Sequence, residues 1–373
     1  MASFEKYEIA AGSRWRVRYR DPQNRSREKG SFKTLRAAKD FAATVEVSML
    51  RGEYIDAQSS RIRIGDLATD WLATQTHLKP SSRRPIETAW RVHVAPVWQD
   101  IRVAQVRHSD VQRWVTDLSK TRSASVVLRA YGILASILDV AVKDRRISVN
   151  AARGVNLPRK TTKAHVYLTH QQVHLLATNS GERRTLVLLL AYTGLRWGEA
   201  IGLRVGDFER STRRLKVEVN AVEVAGEIHV GTPKTHKSRT IVLPDFLLDA
   251  LAAACGTKSR EALIFSDDKG RHLRRTRVSE GSRSWFKTAL QDSGLPPMTL
   301  HDLRHTAASL AVSAHGNVKA VQRMLGHASA AMTLDVYADL FADDLEDLAV
   351  NIDAAARSSV VGDLWGFDLP QAV

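Results

Sequence analysis

Between Thr299 and Tyr337 the chain reads TLHDLRHTAASLAVSAHGNVKAVQRMLGHASAAMTLDVY, and this stretch limits the possible folds more than any other. Its patterning predicts short helices separated by breaks. His301 and Arg304 are three apart in a helical run, so their side chains share one face about a turn apart. Thr299 is the expected N-cap of that run. A second run, Val318 to Leu325, ends at Gly326, the residue type that closes helices in the left-handed conformation. His327 then falls on a loop, and Ser329 is positioned to cap a third short helix carrying Tyr337. A permanent cation, two imidazoles and a phenol thus ride on short elements able to converge.

Arginine offers a rigid fork of donors matched to phosphate oxygens. Imidazoles move protons or donate to an oxyanion near neutral pH, and tyrosine can serve as a covalent nucleophile. The set points to phosphoryl transfer onto a tyrosine. Each piece alone has a plainer explanation: a solvated helix face for HDLRH, packing for the tyrosine. Order and spacing together are far more specific. His301-Asp302-Leu303-Arg304-His305-Thr306-Ala307, then Leu325-Gly326-His327, then Tyr337 ten residues after that histidine resemble the tyrosine recombinase (phage integrase) family. There an H-x-x-R box precedes LGH and the nucleophilic tyrosine.

The 373 residues suffice for two or three domains with ample core. A formal net charge of +15 favours a polyanionic partner, nucleic acid before membrane. No long apolar run, amphipathic anchor or secretory-type N-terminus is expected from the sequence. The single cysteine, Cys255, excludes an intrachain disulfide, and no Cys/His cluster has zinc spacing. The expectation is a cytosolic protein with access to DNA and without metal or cofactor.

Residues 1–60 read as a small basic domain. In Arg14-Trp15-Arg16-Val17-Arg18-Tyr19-Arg20 the apolar residues face one way and the arginines the other. Asp21 to Asn24 is a turn signal, and a second strand to Phe32 extends the basic face with Arg25, Arg27 and Lys29. Thr34 caps a helix to Arg51, with Gly52 as its stop. From Arg14 to Lys39 there are ten Lys/Arg against two acids, which favours DNA in a groove over a merely solvated face. Residues 55–62 read as a polar linker. Residues 64–155 read as four helices, the longest from about Ser123 to Asp144. Residues 156–165 form a basic, Pro-containing linker, and residues 166–373 the largest domain.

In that domain the buried run TLVLLLAY leads into Thr193-Gly194-Leu195-Arg196-Trp197-Gly198-Glu199. An arginine after an apolar helix and a glycine break is partly buried and needs an acceptor, for which Glu199 or Asp207 is the local candidate. TGLR-x-x-E also matches the family's first arginine box. Arg214 to Leu243 reads as strands, with Lys234 in the turn before the last, inside a PKT-x-x-SR run from Pro233 to Arg239 that also matches the family. Asp335 to Asp353 holds seven acids and no Lys or Arg, an acidic amphipathic tail that should avoid DNA.

The resemblance implies a multidomain, mainly α fold with small β-sheets (α+β). Its parts would be an arm-binding sheet-plus-helix domain, a helical core-binding (SAM-like) domain and a mixed α/β-hairpin catalytic domain. Asn150-Ala151 stands where the family often has Asn-Pro. The implied catalytic positions are Arg196, Lys234, His301, Arg304, His327 and Tyr337, with Lys234 preferred over Lys237. Tyr337 would form a 3′-phosphotyrosine, Arg196 and Arg304 would hold the phosphate, Lys234 would protonate the leaving 5′-oxygen, and Glu199 would orient. His301 would assist with the tyrosine proton and His327 would donate to a phosphate oxygen. The implied partners are double-stranded DNA with core and arm attachment sites, three further protomers in a homotetramer, a host DNA-bending protein and an excisionase. A chromosome-dimer resolvase and a type IB topoisomerase-like enzyme are the neighbouring readings.

Overall fold

The structure is a computed structural model that describes every residue except Met1, Ala11, Ala57, 162–164, 233–237, 277–280, 338–343 and 359–373. The chain divides into two compact units, 1–162 and 163–373.

The first unit opens with an antiparallel sheet of Ser3–Ile9, Gly12–Arg20 and Ser26–Phe32, in that order. The helix Leu35–Leu50 covers one face, with Val17 and Ala38 fully buried beneath it and the Phe32 and Phe41 rings 5.3 Å apart. Thr34 caps this helix as expected, its hydroxyl accepting from the Ala37 amide. The first strand escaped the sequence reading because its charged residues hide any apolar period. It matters, since it brings Glu5 opposite Arg16. The polar segment after the helix is anchored at its start: Tyr54 is buried with its hydroxyl 3.2 Å from that of Tyr19, and Asp56 pairs with Arg27.

Helices Ile64–Ala73, Pro80–Ala89, His108–Ser119 and Ala124–Lys143 build the rest of this unit. The second continues through one wide turn, in which the Ala95 amide reaches back to the Trp90 carbonyl, and ends at Trp98. Trp98 meets Trp114 edge to face at 5.8 Å over a floor of Ile133, Leu134, Ile137 and Leu138. Contrary to the sequence reading, one run is long and apolar enough to cross a membrane, Ala124–Lys143. Its apolar side is the core of this unit, which accounts for its composition without a bilayer. Asn150 ties down the chain beyond it by donating to the Ala135 carbonyl and to Asp139 while accepting from the Ala152 amide. Those bonds hold the segment without a proline at position 151.

The second unit is organised around the helix Arg184–Thr193, buried on nearly all sides from Leu186 to Ala191. Gly194 ends it with φ +64°, turning the chain so that Arg196 starts a short helical turn, Trp197–Ala200. One sheet has strand order Phe208–Glu209, Arg214–Val217, Arg239–Val242. A separate hairpin pairs Asn220–Val224 with Glu227–Gly231 through Ala225 and Gly226, both at positive φ. Asp302–Ser313 packs against the central helix, and Val318–Leu325 and Ala330–Tyr337 follow. Gly326 is left-handed at φ +66° and the Ser329 hydroxyl accepts from the Met332 amide, both as the sequence predicts. Thr299 is not the cap: His301 holds that position, and Asp302 reaches back to accept from the Thr299 amide and hydroxyl. The Thr299 hydroxyl is spent as a donor to this carboxylate, a charge-assisted bond, and so does not accept from the first helical amides. The acidic segment contributes a last helix, Asp344–Ser358, on which Val350 and Ile352 are exposed.

A Cβ at Gly194 would come within 2.4 Å of Leu325 Cδ2 on top of the positive φ. Gly194→Ala should therefore cost about 2 kcal/mol, roughly 4–8 °C in thermal melts of a unit this size. An unchanged melting temperature would contradict this account of the turn.

Candidate active site

Glu199 is fully buried and accepts four hydrogen bonds. The Arg196 amide and Nη1 donate at 2.9 and 2.8 Å, and Arg239 Nη1 and Nη2 at 3.0 and 2.8 Å. Burial alone would raise this carboxyl, but the hydrogen bonds and charge of Arg239, then those of Arg196, hold it at about 2. Glu199 thus fixes both guanidinium groups, while Asp207 instead accepts from the Arg204 amide. Arg239 was not singled out from sequence as a site residue, although it closes the PKT-x-x-SR run. It also donates to the Met324 carbonyl and lies under Gly326, where a Cβ would sit 3.0 Å from its guanidinium. The glycine of LGH is therefore required twice, by its φ and by this arginine.

Arg304 is 3 % exposed. Its Nη1 donates to the Gly194 carbonyl at 2.5 Å, whereas its buried Nη2 has no partner among the described residues. Burial and the charge of Arg196 push this guanidinium down to about 9, with Glu199 opposing. A buried cationic donor without an acceptor is costly, and an incoming anion would satisfy it.

The imidazoles surround this point. His327 follows Gly326 on its loop, with Nδ1 2.9 Å from the buried Thr333 hydroxyl. Desolvation, then Arg304, Arg196 and Arg239, push it down to about 4, so it is neutral at pH 7. In the tautomer whose Nδ1 accepts from that hydroxyl, the ring proton sits on Nε2 as a donor. His301 keeps an exposed side, yet desolvation by the groups packed around it and the charge of Arg304 lower it. Tyr337 is 1 % exposed, and its ring lies parallel to that of His327 with centroids 6.5 Å apart. Burial raises its phenol to about 12, with Arg304 opposing. Its hydroxyl is 2.8 Å from Nδ1 of His305, a residue inside the quoted HDLRHTA run whose neighbours drew the attention.

Arg196, His301, Arg304, His327 and Tyr337 all belong to this one region of the second unit. Lys234, and Lys237 beside it, lie outside the described residues. His165, Asp302 and His305 each bring a possible metal ligand within 4.8 Å of the others. The two imidazoles are stacked 3.8 Å apart, however, so their in-plane lone pairs do not converge. Asp302 Oδ2 is also engaged by Thr299, so the group is not arranged to hold an ion.

In the first unit the basic strand is partly neutralised. Arg16 and Arg18 share Glu5 and Glu28, and Arg16 also lies 4.3 Å above the Tyr7 ring. Arg27 is committed to the buried Asp21 and to Asp56, which gives it a structural task. Arg14 donates to the Ser13 carbonyl and Arg20 to Asn24. Arg18, Arg20, Arg25 and Lys29 are the exposed members of the set.

Residues 166–343 match the Phage integrase family. Those residues form a domain of the tyrosine recombinase (phage integrase) family, and the chain is a site-specific recombinase. It is similar to the integrase of Mycobacterium phage FRAT1, 26% identical over 287 residues that cover 74% of this chain and 84% of the relative. The Tn1549 transposon integrase in complex with a circular intermediate DNA shares its fold at a TM-score of 0.67 and 19% identity, covering 79% of this chain and 100% of that one. A lambda integrase tetramer bound to a Holliday junction aligns at a TM-score of 0.58 and 18% identity, covering 87% and 95%.

His305 and His327 both sit near 4 in the fold, against about 6.5 for a free imidazole. As pH falls from 6.5 to 4 the unfolded chain binds protons that the fold refuses, so stability should fall through that window. Melting temperatures measured from pH 7 to 4 should show the decline, and His305→Gln/His327→Gln should reduce it. An equal slope in the variant would contradict the neutral state of these rings.

Proposed function

We propose that this recombinase is an integrase of the arm-binding phage type, acting on DNA through Tyr337. The observation that carries this reading is the buried Nη2 of Arg304, which has no partner among the described residues, in the same cluster as a sequestered tyrosine. An anion satisfies such a donor. A scissile phosphate seated there receives Arg304 and Arg196 on its non-bridging oxygens, and both forks stabilise the charge of the pentavalent transition state. The Nε2–H of His327 donates to a further oxygen. His301 assists as acid/base, and Lys234 protonates the leaving 5′-oxygen. The product is a 3′-phosphotyrosine with a free 5′-hydroxyl. The ester bond conserves energy, so strands rejoin without ATP or metal.

Four protomers on two duplexes exchange strands through a Holliday junction, a reading supported by the likeness to the lambda integrase tetramer. Residues 1–60 hold arm-type DNA through Arg18, Arg20, Arg25 and Lys29, with Arg14 and Arg16 at the rim. Residues 64–155 grip the core site, 156–165 link, and 166–373 carry the chemistry and the acidic tail. A host DNA-bending protein and an excisionase set direction in the cytoplasm of a bacterial host, at its nucleoid.

Tyr337→Phe should bind a nicked suicide substrate normally and form no covalent complex on denaturing gels. A covalent band at wild-type level would move the nucleophile elsewhere. Deleting residues 1–60 should spare cleavage of a core-type site and abolish integration on a full attachment site, because a tethered second DNA contact raises effective concentration. Footprints identical with and without the segment would favour a resolvase that reads core sites alone.

A further inference from the structure

Neither imidazole assigned by the family pattern touches the Tyr337 hydroxyl. His327 stacks parallel to the tyrosine ring and spends Nδ1 on Thr333. His301 presents its ring edge to His305, with centroids 5.2 Å apart. The group on the phenol oxygen is His305, whose Nδ1 lies 2.8 Å away in a buried pair. His165 stacks on the His305 ring at 3.8 Å, which fixes the plane that aims Nδ1 at the phenol.

We propose that His305 is a catalytic residue, the proton acceptor for Tyr337 in strand cleavage. The proposal rests on the reading of Tyr337 as the nucleophile. As Oη attacks the scissile phosphorus, the phenol proton passes to His305 Nδ1, the Oη–P bond forms and the P–O5′ bond breaks. The 5′-oxygen takes its proton from the general acid. In the return reaction the 5′-hydroxyl gives its proton back to the general acid as it attacks, the O5′–P bond forms, the P–Oη bond breaks, and His305 returns its proton to the departing phenolate.

The surroundings make this transfer conditional on DNA. Facing His305 are His165, His301, Asp302, Arg304 and Tyr337. Desolvation, then His165 and His301, oppose a charge on it, and Arg304 adds to them, while Asp302 favours that charge. At rest the imidazole is therefore neutral and holds the phenol as a donor. A phosphate on Arg304 Nη2 brings the negative charge that compensates the cations, which favours the imidazolium. Cleavage is then coupled to a seated phosphate, and no free tyrosinate exists without one.

The test uses the full-length protein, a nicked suicide duplex and the rate of covalent complex formation. His305→Asn can place an amide oxygen near the Nδ1 position but cannot take a proton. It should slow the covalent step by about 10²–10⁴-fold, with DNA binding retained. Installing 2,3-difluorotyrosine at position 337, a more acidic phenol, should recover about tenfold or more in that variant, which a purely structural loss would not allow. His305→Gln repeats the test with a second acceptor geometry. Independently of any histidine variant, nitrogen-15 histidine spectra of the wild type should show the His305 protonation midpoint rising on binding uncleavable DNA. Cleavage near the wild-type rate in both variants, a loss that difluorotyrosine does not relieve, or an unmoved midpoint overturns the proposal. Tyr337→Phe run alongside separates the two claims. If it still forms the adduct, the nucleophile reading fails. If it is inert while His305→Asn cleaves normally, only the proton role falls.

Discussion

One buried carboxylate holds the site together. Glu199 is taken wholly out of water, and the penalty for doing so is several kcal/mol unless its oxygens are well paired. Two arginines from distant parts of the unit meet that need, Arg196 in sequence and Arg239 from the last strand of the small sheet. Loss of one partner from such a pair costs about 3–5 kcal/mol, so this arrangement fixes where both guanidinium groups stand. Through Arg239 it also fixes the Met324 carbonyl and the tight approach at Gly326, and so the loop that carries His327.

The second fixed point is the left-handed turn at Gly194. Its carbonyl receives Arg304 Nη1 from the neighbouring helix, while Nη2 is buried without a partner among the described residues. Two cations are thus satisfied by protein and a third only by half. Nearby, His305 and His327 are kept neutral by burial first and by the surrounding cationic groups second, and Tyr337 is kept protonated by burial. The whole cluster is built to receive an anion. Chemistry that proceeds only when a phosphodiester supplies it follows from this electrostatic deficit.

The helical end of the chain was legible because its signals are local. Val318–Leu325, the left-handed Gly326 and the Ser329 cap each depend on residues within one turn. The Thr299 cap failed because its hydroxyl donates to Asp302 instead of accepting from a helix amide, a choice that residue preference alone does not decide. Arg239 and His305 were missed as site residues for another reason. Both lie inside quoted motifs, but their roles come from partners 40 and 32 positions away. The N-terminal basic strand was over-read. Its alternation is real, but Glu5 arrives from a strand whose charge pattern hides its period, and Arg27 turns inward to Asp21. A linear count of charge does not see cross-strand pairs.

The central claim is that Arg304 waits for the charge of one phosphate, and chemistry at that single phosphate tests it most directly. A suicide duplex can carry a methylphosphonate in place of the scissile phosphodiester, which removes one negative oxygen and little else. Covalent complex formation by Arg304→Ala should be lost on the phosphodiester and regained, at least in part, on the methylphosphonate, because the neutral group no longer needs the missing cation. If Arg304→Ala is equally inert on both substrates, Arg304 does not neutralise the scissile phosphate, and the account of this site as an anion receptor is wrong.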